Sequence, residues 1–193
     1  PIHTIKPYKD TTLALLLEAQ RRGWEIAYME LGDLSLRDGV ARAYQRPLWV
    51  RDDNHQWYEL GDGAMAPLAE LDVILMRKDP PVDNEFVYAS HILEAAERDG
   101  ALVVNRPAAL REAQEKLFAT HFPACCAPPL VDMRADRLKA FIREHGKAVL
   151  KPLYGMGGDS VFVLADGDPN TSVIIETLSE RGTAYVMAQR YLP

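Results

Sequence analysis

The sequence predicts an α/β fold in two lobes: an open parallel sheet flanked by helices over about residues 1–120, then a smaller α+β lobe over about residues 121–193. Three observations carry this. The first is a strand–helix–strand unit: the apolar run Leu71–Met76, the amphipathic stretch Asn84–Arg98, and the apolar run Ala101–Val104. Right-handed crossover makes two such strands parallel, and continuous apolar runs suit strands buried on both faces. The second is the proline-rich stretch Phe122–Pro129, which reads as a linker; hydrophobic periodicity restarts after it. The third is Ala148–Val163, where two apolar strands flank a glycine-rich turn.

The elements follow in order. Pro1–Asp10 is short, irregular and partly basic. Thr11 or Thr12 can cap a helix running to about Arg22, with Leu13, Leu16, Leu17 and Gln20 on one side and Gly23 as its stop. Trp24–Met29 alternates like a strand, so helix and strand together make half of a βαβ unit. A strand before the helix is expected to have been lost ahead of Pro1. Short strand candidates follow at Arg42–Tyr44, Leu48–Val50 and Trp57–Leu60, with Asp52, Asp53 and Asn54 as a hairpin tip. Asp83 can cap the helix Asn84–Arg98, whose inward positions are Phe86, Ala89, Leu93 and Ala96; Gly100 closes it. Pro107 sits in the first turn of a helix expected to reach about His121, with Leu110, Leu117 and Phe118 inward. Stepping by 100° puts Lys116 well off that face, as a solvated lysine. Beyond the linker come an extended Leu130–Asp132, a helix Ala135–His145 stopped by Gly146, the lysine strand and glycine turn, a helix Thr171–Arg181 stopped by Gly182, and a strand Ala184–Gln189.

Composition bounds the function. The 193 residues are 48% hydrophobic and 26% charged, which fits a soluble globular protein of one or two domains. A net charge of −6 argues against a nucleic-acid binder driven by general basicity, although a nucleotide needs only a local cluster of cations. No apolar run approaches the ~20 residues of a membrane span, and no signal-peptide pattern opens the chain. The two cysteines, Cys125 and Cys126, are adjacent. Neighbours do not easily meet disulfide geometry, so reduced thiols in a cytoplasmic protein are expected. No second Cys or His pair completes a metal site.

The chemistry concentrates in AVLKPLYGMGGDSVFV, Ala148–Val163. Lys151 interrupts an apolar strand; Gly155, Gly157 and Gly158 follow. Glycines let a backbone take positive φ and approach a ligand closely. Their amides can cradle a phosphate, and a lysine adds a point charge for the same anion. The turn joins two strands rather than opening a helix, so it is neither a Walker loop nor a dinucleotide fingerprint. Read alone, it is equally an ordinary long hairpin with an exposed lysine. Arg77 and Lys78 stand at the carboxyl end of a strand, where open parallel sheets bind ligands. Arginine suits bidentate capture of a carboxylate; a surface pair with Asp79 is the plainer reading.

Taken together, VILMRKDPP (Val73–Pro81), EKLFAT (Glu115–Thr120), LKPLYGMGG (Leu150–Gly158), MAQRYLP (Met187–Pro193) and LLEAQRRGWEIAYMELGDL near the start resemble the prokaryotic glutathione synthetase family of the ATP-grasp superfamily. The resemblance implies a Rossmann-like, pre-ATP-grasp sheet followed by the first lobe of an ATP-grasp domain. It implies ATP- and Mg²⁺-dependent joining of γ-glutamylcysteine to glycine through an acyl phosphate, in a cytoplasmic homo-oligomer with neither nucleic acid nor membrane as a partner. By the same resemblance, Lys116 and Lys151 contact ATP phosphates and Gly155, Met156, Gly157 and Gly158 form the phosphate flap. Gln189, Arg190, Tyr191 and Leu192 line the adenine, and Arg77 serves the dipeptide site. Tyr154 stands where relatives carry aspartate, and Asp159 where they carry a small residue. Family members continue into a second ATP-grasp lobe with the Mg²⁺ ligands. The chain is therefore expected to be about the first three-fifths of such an enzyme, and inactive by itself. Another ATP-grasp carboxylate–amine ligase and a non-catalytic nucleotide-binding module are the alternatives.

Overall fold

The computed structural model describes residues 1–79, 81–154 and 157–193. The chain divides into two compact units, Pro1–Arg111 and Glu112–Pro193.

The first unit opens with α1 (Thr11–Arg21). Its cap is Asp10, one residue before the expected threonines: Oδ1 accepts from Thr12 N at 2.7 Å and Leu13 N at 3.3 Å. A carboxylate there also meets the positive end of the helix dipole. The strands β1 (Ala27–Tyr28), β2 (Leu34–Arg37), β3 (Val40–Val50), β4 (Tyr58–Leu60) and β5 (Ala64–Pro67) form one antiparallel sheet around β3. β3 merges two of the expected strands. Its first half pairs with β2 and β5, its second half with β1 and β4. The strand expected at Trp24–Met29 is thus short and antiparallel to β3 rather than part of a βαβ unit, because the eleven-residue β3 offers it an edge. Asp38 and Gly39, at φ 53° and 80°, make the two-residue turn from β2 to β3; both positive angles match the twist of a tight hairpin.

The side chain of Gln20 ties α1 to β3 by donating to Val50 O and accepting from Val50 N, both at 2.8 Å. Leu13, Leu48, Val50, Trp57 and Ile2 pack there. β6 (Val73–Leu75), α2 (Asn84–Arg98) and β7 (Leu102–Val104) are the expected parallel strand–helix–strand unit, in register Val73 with Leu102 and Leu75 with Val104. Asp83 caps α2 through Phe86 N at 2.9 Å. Ile74 and Val103 are buried with Leu93 and Ala96. Val73, Leu75, Leu102 and Val104, on the other face, are 40–56% exposed. The expectation of strands buried on both faces is corrected: one helix covers one face, and the parallel sheet is two strands wide among the described residues.

The expected helix from Pro107 to His121 is broken into α3 (Pro107–Glu112) and α4 (Glu115–Phe118), with a 3₁₀ turn over Ala119–His121. Gln114, between them, is extended at φ −62°, ψ 118°. The second unit begins at Glu112, the last residue of α3, two residues ahead of this break.

In the second unit β8 (Pro129–Asp132), α5 (Ala135–His145), β9 (Lys147–Pro152), β10 (Phe162–Ala165), α6 (Thr171–Leu178) and β11 (Val186–Arg190) build a four-stranded antiparallel sheet, ordered β10-β9-β11-β8. Period-two alternation buries Ala148 and Leu150 of β9 against Leu138, Phe141 and Ile142 of α5 and Ile175 of α6. Lys147, Val149 and Lys151 therefore share the opposite face. α6 ends at Leu178, before the expected Arg181, because Glu180, Arg181 and Gly182 turn into positive φ (48°, 59° and 88°). Ser179, 2% exposed, fastens that turn: its carbonyl accepts from Gly182 N, Thr183 N and Ala184 N at 2.8–2.9 Å.

Candidate functional site

Lys151, Lys116, Glu115, Tyr154, Gly157, Gly158 and Asp159 line a small open cavity of about 100 Å³ in the second unit. Lys151 enters it from β9, where the strand is still paired with β11 opposite Met187. Burial, then the charge of Lys116, hold its ammonium below the ordinary lysine range; Glu115 and Cys126 pull the other way. A lysine so placed carries charge at a cost, and that cost falls when an anion arrives.

Lys116 reaches the cavity from α4. Its side chain is 15% exposed, not the solvated lysine that a continuous helix predicted. Nζ donates to the Glu115 carboxylate at 2.8 Å and to Leu153 O at 3.2 Å. The break at Gln114 resets the helical phase and turns this side chain inward.

Gly157 and Gly158, at φ 72° and 81°, take conformations that a side chain disfavours, and no atom of the described residues crowds the place of a Cβ at either. Tyr154, 57% exposed, donates its hydroxyl to Glu180 Oε1 at 2.9 Å, which raises the phenol's affinity for its proton. Gly155 and Met156, expected in the flap, lie outside the described residues, as does Pro80, expected to stiffen the turn after Arg77.

Gln189, Arg190, Tyr191 and Leu192 stand at the other end of the same sheet. Tyr191 N donates to Lys147 O at 3.0 Å, and Lys147 Nζ lies 4.2 Å from the centre of the Tyr191 ring. Four residues of strand at ~3.3 Å each put about 13 Å between Lys147 and Lys151. A ligand spanning from the Lys151 cavity to Tyr191 would be elongated and anionic at the Lys151 end.

Arg77, in the first unit, is not paired with Asp79 as the plainer reading had it. Its Nε donates to Thr12 Oγ1 at 3.3 Å. Sequence reasoning missed Gln114, whose signal was a residue with a capping side chain two positions before Lys116. It also missed the partnership of Tyr154 and Glu180, which nothing local announces.

The model of the prokaryotic glutathione synthetase N-terminal domain matches residues 1–111, and that of the prokaryotic glutathione synthetase ATP-grasp domain matches residues 115–193. Glutathione synthetases of Pseudomonas aeruginosa and Escherichia coli K12 are 56% and 53% identical over all 193 residues of this chain, which cover 61% of either relative. The chain thus spans about three-fifths of the length of the curated relatives it matches. Among solved structures, a RimK domain protein ATP-grasp from Sphaerobacter thermophilus aligns over 96% of this chain and 61% of its own, with a TM-score of 0.60 at 19% identity. D-alanyl-alanine synthetase A from Vibrio cholerae O1 aligns over 94% of this chain and 55% of its own, with a TM-score of 0.52 at 12% identity. These last two likenesses bear on the fold alone.

Proposed function

The chain belongs to the prokaryotic glutathione synthetase family, and on that premise we propose that it forms the dipeptide-side and phosphate-clamping part of a glutathione synthetase. The enzyme joins γ-glutamylcysteine to glycine at the expense of ATP. The single observation that carries this reading is the pairing of two lysines, Lys116 and Lys151, on one cavity beside a glycine turn.

ATP binds with its phosphates at that cavity and its adenine against Gln189–Leu192. The cysteinyl carboxylate attacks the γ-phosphorus, the bond to the β,γ-bridging oxygen breaks, and ADP leaves. The glycine amine then attacks the acyl phosphate: the C–N bond forms, the C–O bond to phosphate breaks, and the amine gives up a proton. Lys116 and Lys151 hold the charge that passes to the transferring phosphoryl group and to ADP. Their work is positioning and electrostatic stabilisation. Arg77 binds a carboxylate of the dipeptide. Mg²⁺, which the family implies, finds no fitting donor set here: no group of three or more His, Cys, Asp or Glu stands together among the described residues. No step above is routed through it. Among the same residues no helix is long and apolar enough to cross a membrane; a cytoplasmic setting and a homo-oligomeric state belong to the proposal.

The test is ATP-dependent glutathione formation by the complete protein, with other amine acceptors offered beside glycine. Equal or faster turnover with another acceptor would make it a different carboxylate–amine ligase. An ATP affinity unchanged in both Lys116→Ala and Lys151→Ala would remove the phosphate site.

A further inference from the structure

We infer that Gln114 is a positioning residue for the phosphate-binding lysines, an inference that rests on the ATP reading of the cavity. α4 carries Lys116 and is four residues long. A helix so short cannot hold its own place, because its nucleation is barely repaid. Something outside it must fix where the ammonium stands.

The side chain of Gln114 does this from both ends. Its Oε1 accepts from Lys116 N at 2.9 Å and from Leu117 N at 2.7 Å, closing the first turn. Its Nε2 donates to Leu153 O at 2.6 Å. Leu153 lies two residues past Lys151, just beyond the end of β9. One amide therefore ties the element carrying Lys116 to the chain leaving the strand that carries Lys151. Leu153 O also accepts from Lys116 Nζ at 3.2 Å. A carbonyl has two lone pairs, so the amide and the ammonium share one acceptor, and the carbonyl sets their spacing. An ordinary helix cap requires only the Oε1 half of this arrangement. The Nε2 half spans 39 residues of sequence and serves nothing in α4 itself.

The two halves can be separated. Gln114→Ser keeps a capping oxygen but is too short to reach Leu153 and carries no amide. In the complete protein it should leave the melting temperature close to that of the parent. It should raise KM for ATP roughly tenfold, the scale on which misplacing a binding group by a fraction of an ångström is felt, while KM for γ-glutamylcysteine stays unchanged. Gln114→Ala should add a fall in melting temperature to the same rise. Should Gln114→Ser not accumulate as folded protein, Gln114→Glu, which also caps but cannot donate, replaces it with the same expectation. A KM for ATP within twofold of the parent, with Lys116→Ala measured alongside and raising it, would overturn the positioning role and leave the phosphate site standing. A Lys116→Ala variant that leaves KM for ATP unchanged would overturn the site and this inference with it.

Discussion

Replacing Lys151 by methionine should separate function from stability with opposite signs. The unbranched methionine keeps most of the stem on the face of β9 that Lys151 shares with Lys147 and Val149, and removes the charge. In the folded chain, burial and the Lys116 charge hold the Lys151 ammonium below its ordinary range. The folded state therefore binds that proton less firmly than the unfolded state does. Between the folded value and the ordinary 10.5, the unfolded chain carries more protons, so stability rises with pH across that window. Below it, the charged lysine is a standing cost to the fold. Lys151→Met removes the cost and should stabilise the protein at pH 7, within the about 0.5–2 kcal/mol of single stabilising changes. It should also abolish the rise in stability at alkaline pH. The same change takes one of two cations from the cavity. Losing a charged hydrogen bond costs about 1.5–3 kcal/mol, so ATP should bind roughly tenfold to a hundredfold more weakly, and phosphoryl transfer should fall by on the order of 10²–10³. Denaturant unfolding from pH 7 to 10, nucleotide titration and steady-state turnover read all three. A variant both less stable and unimpaired in ATP binding would refute the reasoning, for Lys151 would then be a packing residue.

Three further outcomes follow from the geometry. Arg77→Ala should raise KM for γ-glutamylcysteine roughly tenfold to a hundredfold with KM for ATP unmoved, and Arg77→Lys should recover only part; equal rises in both constants would exclude the role. Asp132, 9% exposed, accepts from Arg134 N at 2.8 Å and from Arg137 Nη1 at 3.0 Å, which hold its carboxyl below the ordinary range. Its contribution is present above the ordinary value of 3.8 and lost as pH falls toward the folded one, so Asp132→Ala should cost about 1.5–3 kcal/mol at pH 7 and progressively less below pH 4, read by denaturant unfolding. Leu150→Ala empties a fully buried position between α5 and the sheet and should cost about 2–5 kcal/mol in the same measurement.

Local pattern made some of this legible. α2 and α5 stand at Asn84–Arg98 and Ala135–His145, as their periodicity and caps require, and the lysine strand is where its apolar run placed it. What failed was decided at a distance. Arg42–Tyr44 and Leu48–Val50 read as separate strands, yet Pro47 between them does not end the ladder: it lacks a donor but keeps its carbonyl. In the fold its carbonyl accepts from Gly61 N at 2.9 Å and β3 runs through it. Gln114 is a good helix former by propensity, and it leaves the helix because Leu153 offers its amide a partner. The burial of Lys116 follows from that break, so no reading of Pro107–His121 alone was going to find it. The exposed faces of β6 and β7 carry four aliphatic side chains against two on the buried faces, and composition cannot tell the two apart.

The two lysines of the cavity stand on backbones of unequal permanence. β9 is flanked by β10 and β11 over Ala148–Leu150, inside the sheet, so amides there belong to the slowest-exchanging class of the unit. α4 is one turn at the unit's first residues, and its amides should take up deuterium orders of magnitude sooner, by local opening. A nucleotide arriving at Lys151 meets a charge that needs no ordering. At Lys116 it meets one that must be kept in place, and part of the binding free energy goes into quieting that turn. Protection gained on binding should therefore concentrate at residues 114–118 and be nearly absent from β9, so that exchange records the ligand through the weaker of its two supports.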